Sequence, residues 1–227
     1  MAYLDRNIQE SLRQRFDLIV IGGGVYGVML ALEASLRNVK TLLIEQHDYG
    51  TNTSYNSLRI LHGGFRYLQG FDLKRLYESA GERAWYFSFF PELTQTLPCL
   101  MPLYGRKLRH PLILGPALRT YDVLTRSKRN AANGFQNIPS GRLLNASETL
   151  NQCRYFSRAG LKGGAVWYDG FLPDAQRVLI GALRWASEYG LRALNYVRAT
   201  GLVTHNEITV GVRARDEETG SEYQFEG

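Results

Sequence analysis

The sequence predicts an α/β fold that opens with a β-strand, a helix and a second β-strand of the dinucleotide-binding type. Three observations predict it. An apolar run at residues 16–21 ends at the spacing Gly22-x-Gly24-x-x-Gly27, and a helix-compatible stretch follows. A second apolar run then ends in Glu45, 23 positions after Gly22, where this motif places an acid at roughly 20.

Each part of the glycine motif has a physical reason. Gly22 permits the tight turn after the strand, Gly24 lets a pyrophosphate approach the backbone, and Gly27 lets the helix pack against the strand. The helix N-terminus offers unpaired N–H groups and the positive end of its dipole. Glu45 can accept hydrogen bonds from ribose hydroxyls and would repel the extra phosphate of NADP. A glycine-rich turn in an ordinary α/β unit is the alternative, and the motif alone does not separate FAD from NAD.

Length and composition indicate a globular protein of one large domain or two small ones. The 227 residues are 44% hydrophobic and 21% charged. There is no apolar run of about 18 residues, so no transmembrane helix is expected. Residues 1–15 lack the apolar centre of a secretory signal, and we expect a polar helix or tail there in a cytoplasmic protein. With four histidines and two distant cysteines, we expect no metal site and reduced, structural thiols.

The net charge of +6 is concentrated in residues 104–130, which hold seven basic residues and one acidic residue. Within this stretch residues 111–125 are apolar and compatible with a helix. A basic rim around an apolar helix could lie on a membrane interface, but a core-facing helix with solvated ends explains the pattern as well. Anionic ligands suit the charge too, whereas no nucleic-acid-binding motif is present.

Periodicity and turn residues predict the remaining elements. In the middle of the chain we expect a polar loop and helix start at 46–64, a helix at 72–90 ended by Pro91, an irregular segment at 97–142 and a short capped helix at 147–152. In the last third we expect a strand at 163–168, a helix at 173–189 with Pro173 and Asp174 in its first turn, strands at 192–202 and 208–214, a turn at 217–220 and a return strand at 221–225.

Residues 51–70 read TNTSYNSLRILHGGFRYLQG. This segment resembles the FAD-dependent glycerol-3-phosphate dehydrogenase family, within the D-amino-acid-oxidase-like flavoproteins. The match is a serine-rich segment leading into His62-Gly63-Gly64-Phe65-Arg66-Tyr67-Leu68. Further matches lie at 168–175, 195–200 and 213–220, so the resemblance covers roughly residues 17–226 and is weakest between 98 and 161.

The resemblance implies FAD as the cofactor and assigns the site residues. Arg66 and Tyr67 would face the substrate, His62 would lie near the isoalloxazine, and Ala199 would contact the adenine side through its backbone. The catalytic residues implied are His62, Arg66 and Tyr67. The cofactor-binding residues implied are Gly22, Gly24, Val25, Gly27, Glu45, Gln46, Thr53, Ser54, Ser57, Arg59, His62, Gly63, Gly64 and Ala199.

Residue chemistry supports these assignments independently. Thr53, Ser54 and Ser57 can donate hydroxyls to phosphate, Gly63 and Gly64 let backbone approach a flat ring, and Arg66 offers a bidentate fork to phosphate. Structural roles are the alternatives: a salt bridge for Arg66, a hydrogen-bonded imidazole for His62 and core packing for Tyr67.

The resemblance also implies the domain organisation. A Rossmann-like FAD-binding domain of the glutathione-reductase type would comprise residues 16–90 and 155–227, after a tail at 1–15. An inserted substrate segment would occupy 91–154. The family's chains are about twice as long, so we expect an incomplete, N-terminal part of an enzyme. Leu58-Arg59 stands where the family usually has Ser-Lys, and Asn38 where it has Gly.

The reaction implied is hydride transfer from C2 of glycerol 3-phosphate to flavin N5, giving dihydroxyacetone phosphate, with quinone or oxygen as the next electron acceptor. Peripheral contact with the inner membrane is a further expectation. Three alternatives remain. The protein could be another flavoenzyme of this group acting on an amino or hydroxy acid, a non-catalytic nucleotide-binding fragment, or an NAD-dependent dehydrogenase, which would leave residues 62–68 unexplained.

Overall fold

The computed structural model describes residues 3–105, 110–131 and 138–227. The helices are α1 (Ile8–Ser11), α2 (Val25–Leu36), α3 (Asn52–Tyr55), α4 (Leu73–Phe89), α5 (Pro111–Ala131), α6 (Ala146–Gln152) and α7 (Ala175–Glu188). The strands are β1 (Leu18–Ile21), β2 (Thr41–Ile44), β3 (Ile60–Leu61), β4 (Gln95–Leu103), β5 (Arg142–Leu144), β6 (Gly163–Phe171), β7 (Arg192–Leu194), β8 (Val197–His205), β9 (Ile208–Asp216) and β10 (Glu222–Glu226). Short 3-10 helices occupy Phe65–Gly70 and Pro91–Leu93.

The chain divides into two compact units. The first unit contains residues 1–58 and 174–227, and the second contains residues 59–173. These boundaries differ from the domain limits expected from the sequence, which placed only residues 91–154 in the inserted segment. The expected limits concern which segments bind cofactor and substrate, and they stay a prediction.

The first unit is built on a parallel sheet of order β1-β2-β7. The predicted strand–helix–strand start is confirmed, with Leu18 opposite Thr41 and Ile21 opposite Ile44. Because side chains alternate along a strand, Leu42 and Ile44 enter a core shared with the antiparallel sheet β10-β9-β8, while Leu43 is buried on the opposite face.

The single strand expected at 192–202 is two strands in the structure. The break lies at Asn195 and Tyr196, where Tyr196 has φ 53° and its N–H donates to the carbonyl of His47 at 3.1 Å. A strand cannot pass through a left-handed residue without turning. As a result β7 joins the parallel sheet and β8 joins the antiparallel one.

Two helix ends show how local chemistry sets the boundaries. Asn38 follows the C-cap of α2 with φ 61°, as expected for a residue that tolerates the left-handed conformation. Asp174, expected in the first turn of α7, is instead its N-cap, and its carboxylate accepts the N–H of Arg177 at 3.1 Å.

The second unit is built on β6. Strand β4 pairs with it from Gln95 opposite Phe171 to Leu103 opposite Gly163, and β3 and β5 pair with β6 at its two ends. The prediction of an irregular segment at 97–142 is therefore wrong. The strand tolerates its prolines because β4 is an edge of this sheet in the described part of the chain. Pro98 and Pro102 are four residues apart, so the positions of their missing N–H groups face the same side of the strand.

The helix expected at 111–125 is confirmed and continues as α5 to Ala131. Its Leu114, Leu118 and Tyr121 recur at helical spacing and are buried in the core of the second unit. Of the two interpretations of this segment, core packing therefore accounts for one face, while Leu112 and Val123 are exposed on another. The basic residues Arg106, Lys107 and Arg109 of the expected rim lie outside the described residues.

The described residues hold neither a membrane-crossing helix nor a cluster of metal ligands. Over 3–105, 110–131 and 138–227 no helix combines the length with the apolar composition that a bilayer span requires. Over the same ranges no group of three or more His, Cys, Asp or Glu side chains is placed to hold a metal ion.

The segment before β1 is fixed to the first unit by its own side chains. Ile8 is buried in the core, and Arg6 forms ion pairs with Asp216 and, at 3.0 Å, with Glu218. Arg6 Nε also donates to the carbonyl of Asn195 at 2.9 Å, and Arg192 pairs with Glu10. The expected polar helix is confirmed as α1, and its attachment is ionic as well as apolar.

Replacing Arg6 with alanine is expected to lower the free energy of unfolding by about 1.5–3 kcal/mol, the range for hydrogen bonds to charged groups. Burial alone would raise the pKa of Asp216, but hydrogen bonds from Glu218 N–H, Thr219 and Arg6 outweigh it, so that pKa lies below its ordinary value of 3.8. A lowered pKa stabilises the folded state above pH 3.8, and this contribution is lost as pH falls through the folded pKa.

Urea unfolding of Arg6→Ala and the parent at a series of pH values measures this difference. The difference in the free energy of unfolding should be largest at pH 7 and should decrease as Asp216 becomes protonated. Arg13→Ala, an exposed change in the same segment, is the matched control and should have little effect. An Arg6 effect of equal size in strong acid would contradict the assignment to Asp216.

Candidate functional site

The glycine turn between β1 and α2 has the geometry that the motif requires. Gly22 has φ 110°, and its N–H donates to the carbonyl of Ile44 at 2.8 Å. A Cβ on Gly27 would lie 1.9 Å from the carbonyl oxygen of Gly22, so only glycine allows the first turn of α2 to lie against the preceding turn. Gly24 is the N-cap of α2 and adds no side chain in front of the helix N-terminus.

Glu45 ties the glycine turn to the end of β2. Its buried carboxylate accepts the N–H of Gly23 at 2.6 Å and the N–H of His47 at 2.8 Å. Each carboxylate oxygen retains a further lone pair, so these two bonds leave room for the contact with ribose hydroxyls, which stays a prediction. Gly23 was missed because it lies between the motif positions. A Cβ there would be 2.8 Å from the Tyr49 ring and 2.9 Å from Glu45 Cβ.

Two predicted cofactor residues meet at the start of α2, where Ser54 Oγ accepts the N–H of Val25 at 2.9 Å. A Cβ on Gly24 would lie 3.1 Å from the same oxygen. A glycine-capped helix N-terminus beside a hydroxyl fits the pyrophosphate of a dinucleotide, because it presents N–H groups and leaves space in front of them. The other predicted residues of this unit are Gln46, Thr53 and Ser57, all exposed, and Ala199, half-buried on β8 opposite Ala214.

In the second unit the three predicted catalytic residues lie together, and we call them the His62 surface. It consists of His62, Arg66 and Tyr67, of which His62 and Arg66 are exposed. The rings of His62 and Tyr67 are 5.9 Å apart in an edge-to-face arrangement, and the Arg66 guanidinium lies 4.9 Å from the Tyr67 ring centre. Arg66 Nη2 also donates to the Tyr67 hydroxyl at 3.2 Å.

Gly63 and Gly64 are both buried, and their own chain explains why they are glycines. A Cβ on Gly63 would lie 2.2 Å from both Arg83 Nη1 and the Tyr121 hydroxyl. Gly64 has φ 82°, which disfavours any side chain. Their predicted approach to a flat ring stays a prediction, as does cofactor binding by Arg59, whose guanidinium donates to the carbonyl of Pro173 at 3.0 Å.

A buried polar cluster holds the backbone of Gly63. Asp169 Oδ1 accepts the N–H of Gly63 at 2.6 Å, and the Tyr121 hydroxyl donates to the carbonyl of Gly63 at 2.8 Å. Arg83, with its side chain 1% exposed, lies 3.6 Å from Asp169 Oδ1 and donates to the carbonyl of Tyr168 at 2.6 Å. We call Arg83, Tyr121 and Asp169 the Gly63 clamp.

Two pKa shifts fit the burial of this cluster. Burial raises the pKa of Tyr121, and the opposing charge of Arg83 does not cancel this effect. The Tyr121 hydroxyl therefore stays protonated and able to donate. Burial and the charge of Asp169 raise the pKa of the Cys99 thiol to about 11. Cys99 is therefore an unreactive thiol at neutral pH, in keeping with the structural role expected for it.

The sequence interpretation missed the clamp, although it contained one signal. Arg83 falls on the apolar stripe of α4 at helical spacing from Leu76, Ala80 and Phe87. A charge on a buried face requires a partner. Asp169 supplies it from a position 86 residues later in the chain.

Comparison with known proteins places the chain in a family. The family model of the FAD dependent oxidoreductases matches residues 17–225, nearly the whole chain. The chain belongs to the FAD-dependent oxidoreductase family. The expected cofactor class is thereby confirmed, since the enzymes of this family depend on FAD.

Individual relatives narrow the similarity within this family. The chain is 34% identical over 219 residues to a glycerol-3-phosphate dehydrogenase of Synechocystis, covering 96% of this chain and 38% of the relative. It is 31% identical to the aerobic glycerol-3-phosphate dehydrogenase of Bacillus subtilis, with 97% and 38% covered. It is 33% identical to the mitochondrial enzyme of Mus musculus, with 92% and 29% covered. The chain thus spans between 29% and 38% of the length of these three relatives.

Solved structures confirm the expected Rossmann-like α/β fold of this family member. The glycerol-3-phosphate dehydrogenase of Bacillus halodurans, solved in complex with FAD, superposes with a TM-score of 0.70 at 24% identity, covering 97% of this chain and 34% of that one. The L-α-glycerophosphate oxidase of Mycoplasma pneumoniae, with FAD bound, gives 0.57 at 18% identity, covering 88% and 49%.

Proposed function

We propose that this protein is an FAD-dependent glycerol-3-phosphate dehydrogenase that oxidises C2 of glycerol 3-phosphate to give dihydroxyacetone phosphate. The observation that carries the proposal is the His62 surface, where Tyr67 contacts both the exposed imidazole of His62 and the exposed guanidinium of Arg66. The names of the relatives supply the substrate class. The chain covers at most 38% of each of those three relatives, so the activity is proposed for the protein as a whole.

Arg66 is assigned to the phosphate of the substrate. Its guanidinium is exposed and oriented by the Tyr67 hydroxyl and ring, which lowers the entropy lost when it binds an anion. A planar fork of N–H donors matches phosphate oxygens in pairs. Tyr67 thus acts by holding Arg66 and by presenting its own hydroxyl next to the bound anion.

His62 is assigned to the proton of the C2 hydroxyl. It is exposed beside Tyr67, and imidazole is the side chain that most often serves as a general base. A bound FAD supplies the hydride acceptor for the same carbon. The oxidation removes a hydride from C2 and a proton from the hydroxyl oxygen, so a base near the hydroxyl lowers its barrier.

The glycine turn is assigned to the pyrophosphate of FAD. Gly24 and the N-terminus of α2 would receive the phosphate groups, and Glu45, held by the turn, would accept a hydrogen bond from ribose. The support for this assignment is the open space at Gly22, where a Cβ would have no atom within 4 Å, together with the close packing of Gly27 on the turn.

The proposal also includes a cytoplasmic location with peripheral binding to a membrane, and electron transfer from the flavin to quinone. Phe71, Leu112 and Val123 are 85%, 79% and 74% exposed in the second unit. An apolar cavity of about 240 Å³ in the same unit is lined by Phe71 and Ile113 among others. Sedimentation with anionic vesicles, compared between the parent and Leu112→Ser, tests the contact, and equal sedimentation would count against it.

The test of function is anaerobic reduction of the purified protein after addition of FAD. We expect glycerol 3-phosphate to bleach the visible flavin absorption, and glycine, alanine or NADH not to. Arg66→Ala should raise KM by about 10- to 10²-fold, since a charged hydrogen bond to phosphate contributes about 1.5–3 kcal/mol. Arg75→Ala, at an exposed arginine of the same unit, is the control.

Each other result has a defined meaning. Bleaching by amino acids alone would show an amine-oxidising relative. Failure to take up FAD would remove the claim that this protein forms a flavin site. An NADH-dependent signal without flavin would favour the NAD-dependent alternative.

A further inference from the structure

The backbone on either side of Gly63 is held with unusual completeness. Its N–H belongs to the peptide that links His62 to Gly63, and that N–H is bound by Asp169 at 2.6 Å. Its carbonyl belongs to the next peptide, and it is bound by Tyr121 at 2.8 Å. Two successive peptide planes are therefore fixed by side chains from β6 and α5.

The groups that hold this backbone are themselves held. Trp167 Nε1 donates to Asp169 Oδ2 at 3.2 Å, while Arg83 lies 3.6 Å from Oδ1 and donates to the carbonyl of Tyr168 at 2.6 Å. Asp169 and Arg83 are 8% and 2% exposed. A carboxylate oriented by an indole and a buried guanidinium has little freedom to follow a moving backbone.

On the exposed side of the same turn stands His62, one residue before Gly63 and edge-to-face with Tyr67. The direction of the His62 side chain depends on the peptide plane that Asp169 fixes, because Cβ is attached to the Cα at the end of that plane. The clamp itself is buried and the imidazole is exposed, so the clamp would act on the surface only through the backbone.

We propose that Asp169 is a positioning residue for the His62 surface, acting through the peptide N–H of Gly63 and supported by Arg83 and Tyr121. The proposal rests on the proposed function for its catalytic consequence. The charge of Asp169 is required as well as its shape, because a carboxylate makes a shorter and stronger bond to N–H than an amide oxygen does. It also compensates the buried guanidinium.

The test compares Asp169→Asn, Tyr121→Phe and the parent in the purified full-length protein. Asparagine keeps the size of Asp169 and removes its charge, and phenylalanine removes only the hydroxyl that binds Gly63. Asp72→Asn is the matched control, because Asp72 is the partly exposed N-cap of α4, where asparagine serves equally well.

The first readout is NMR of 15N-labelled protein, which does not depend on activity. In the parent we expect the Gly63 amide proton at low field, as for a short bond to a carboxylate. Asp169→Asn should move this signal to higher field and shift the ring signals of His62. Tyr121→Phe should shift the His62 ring signals by less, and Asp72→Asn should move neither.

The second readout is the split between kcat and KM for glycerol 3-phosphate, at a temperature where circular dichroism shows each variant folded. We expect Asp169→Asn to lower kcat about tenfold or more while KM changes less, since a displacement of 1 Å can cost about 10²-fold in rate. Tyr121→Phe should lower kcat by a smaller factor.

Folded variants with unchanged His62 signals and unchanged kcat would overturn the proposal, and so would a loss of thermal stability without either change. If Asp169→Asn does not fold, Tyr121→Phe decides by the same two readouts. A failure of the proposed function is separate: it would show as parent protein that does not oxidise glycerol 3-phosphate, and the NMR signals would still report on positioning.

Discussion

Replacing Gly27 with alanine is expected to abolish FAD binding and to lower the free energy of unfolding by about 3 kcal/mol, the upper part of the range for overpacking. The new Cβ would lie 1.9 Å from the carbonyl oxygen of Gly22 and 3.3 Å from a methyl of Val20. The first of these atoms is backbone in a turn with φ 110°, so it cannot rotate away as a side chain would.

The comparison that gives this result its meaning is Gly81→Ala. Gly81 is in the interior of α4, and its Cβ would meet only the end of the Lys128 side chain, at 3.9 Å. Alanine is a better helix former than glycine by about 0.5–1 kcal/mol, so this variant should be more stable than the parent. The same chemical change in two helices is thus expected to have opposite signs.

Urea unfolding measures both stabilities, and the visible flavin absorption after gel filtration measures cofactor binding. Gly81→Ala should bind FAD as the parent does. A Gly27→Ala protein that is as stable as the parent and keeps its flavin would contradict the packing of α2 against the glycine turn.

Replacing Arg83 with leucine is expected to destabilise the protein by about 3–5 kcal/mol, the range for removing one partner of a buried ion pair. Leucine fills part of the space but leaves Asp169 buried without its cation, and the carbonyl of Tyr168 without its donor. The effect should be larger than that of any exposed arginine in this protein.

The double variant Arg83→Leu with Asp169→Asn tests the cause. Removing the uncompensated charge should recover part of the loss, with a coupling energy of about 0.5–3 kcal/mol. Arg37→Leu with Glu33→Gln is the matched control, since Glu33 on α2 and Arg37 at its C-cap are four residues apart and both side chains are more than half exposed. Its coupling should be about 0.5 kcal/mol or less. Equal coupling in the two cycles would contradict the buried ion pair.

Elements that depend on neighbouring residues could be predicted from the sequence. The glycine turn, the helix end at Asn38 and the short capped helix at 147–152 follow from backbone preferences within a few positions, and the last is α6 with Asn145 as its N-cap. The apolar period predicts the helix at 72–90, which is confirmed as α4 with Asp72 as its N-cap. The conformational cost of each is decided locally, so no knowledge of the rest of the fold was needed.

Strand β4 shows where local preference fails. Pro98 and Pro102 indicate irregular structure, yet β4 pairs with β6 along its whole length. Its position at an edge of the sheet is what removes the penalty for proline, and that position is set by the pairing of distant strands. The break between β7 and β8 has a similar origin, since each half is stabilised by a different sheet.

By itself the sequence determined the dinucleotide turn, the α/β class, the family and the grouping of His62, Arg66 and Tyr67, because each rests on residues close together in the chain. Only the tertiary structure decided why Gly63 is glycine and what holds it. The N–H of Gly63 and the carboxylate of Asp169 are 106 residues apart. Their bond forms because packing of α4, α5 and β6 buries both groups, and a buried N–H or carboxylate without a partner would destabilise the fold.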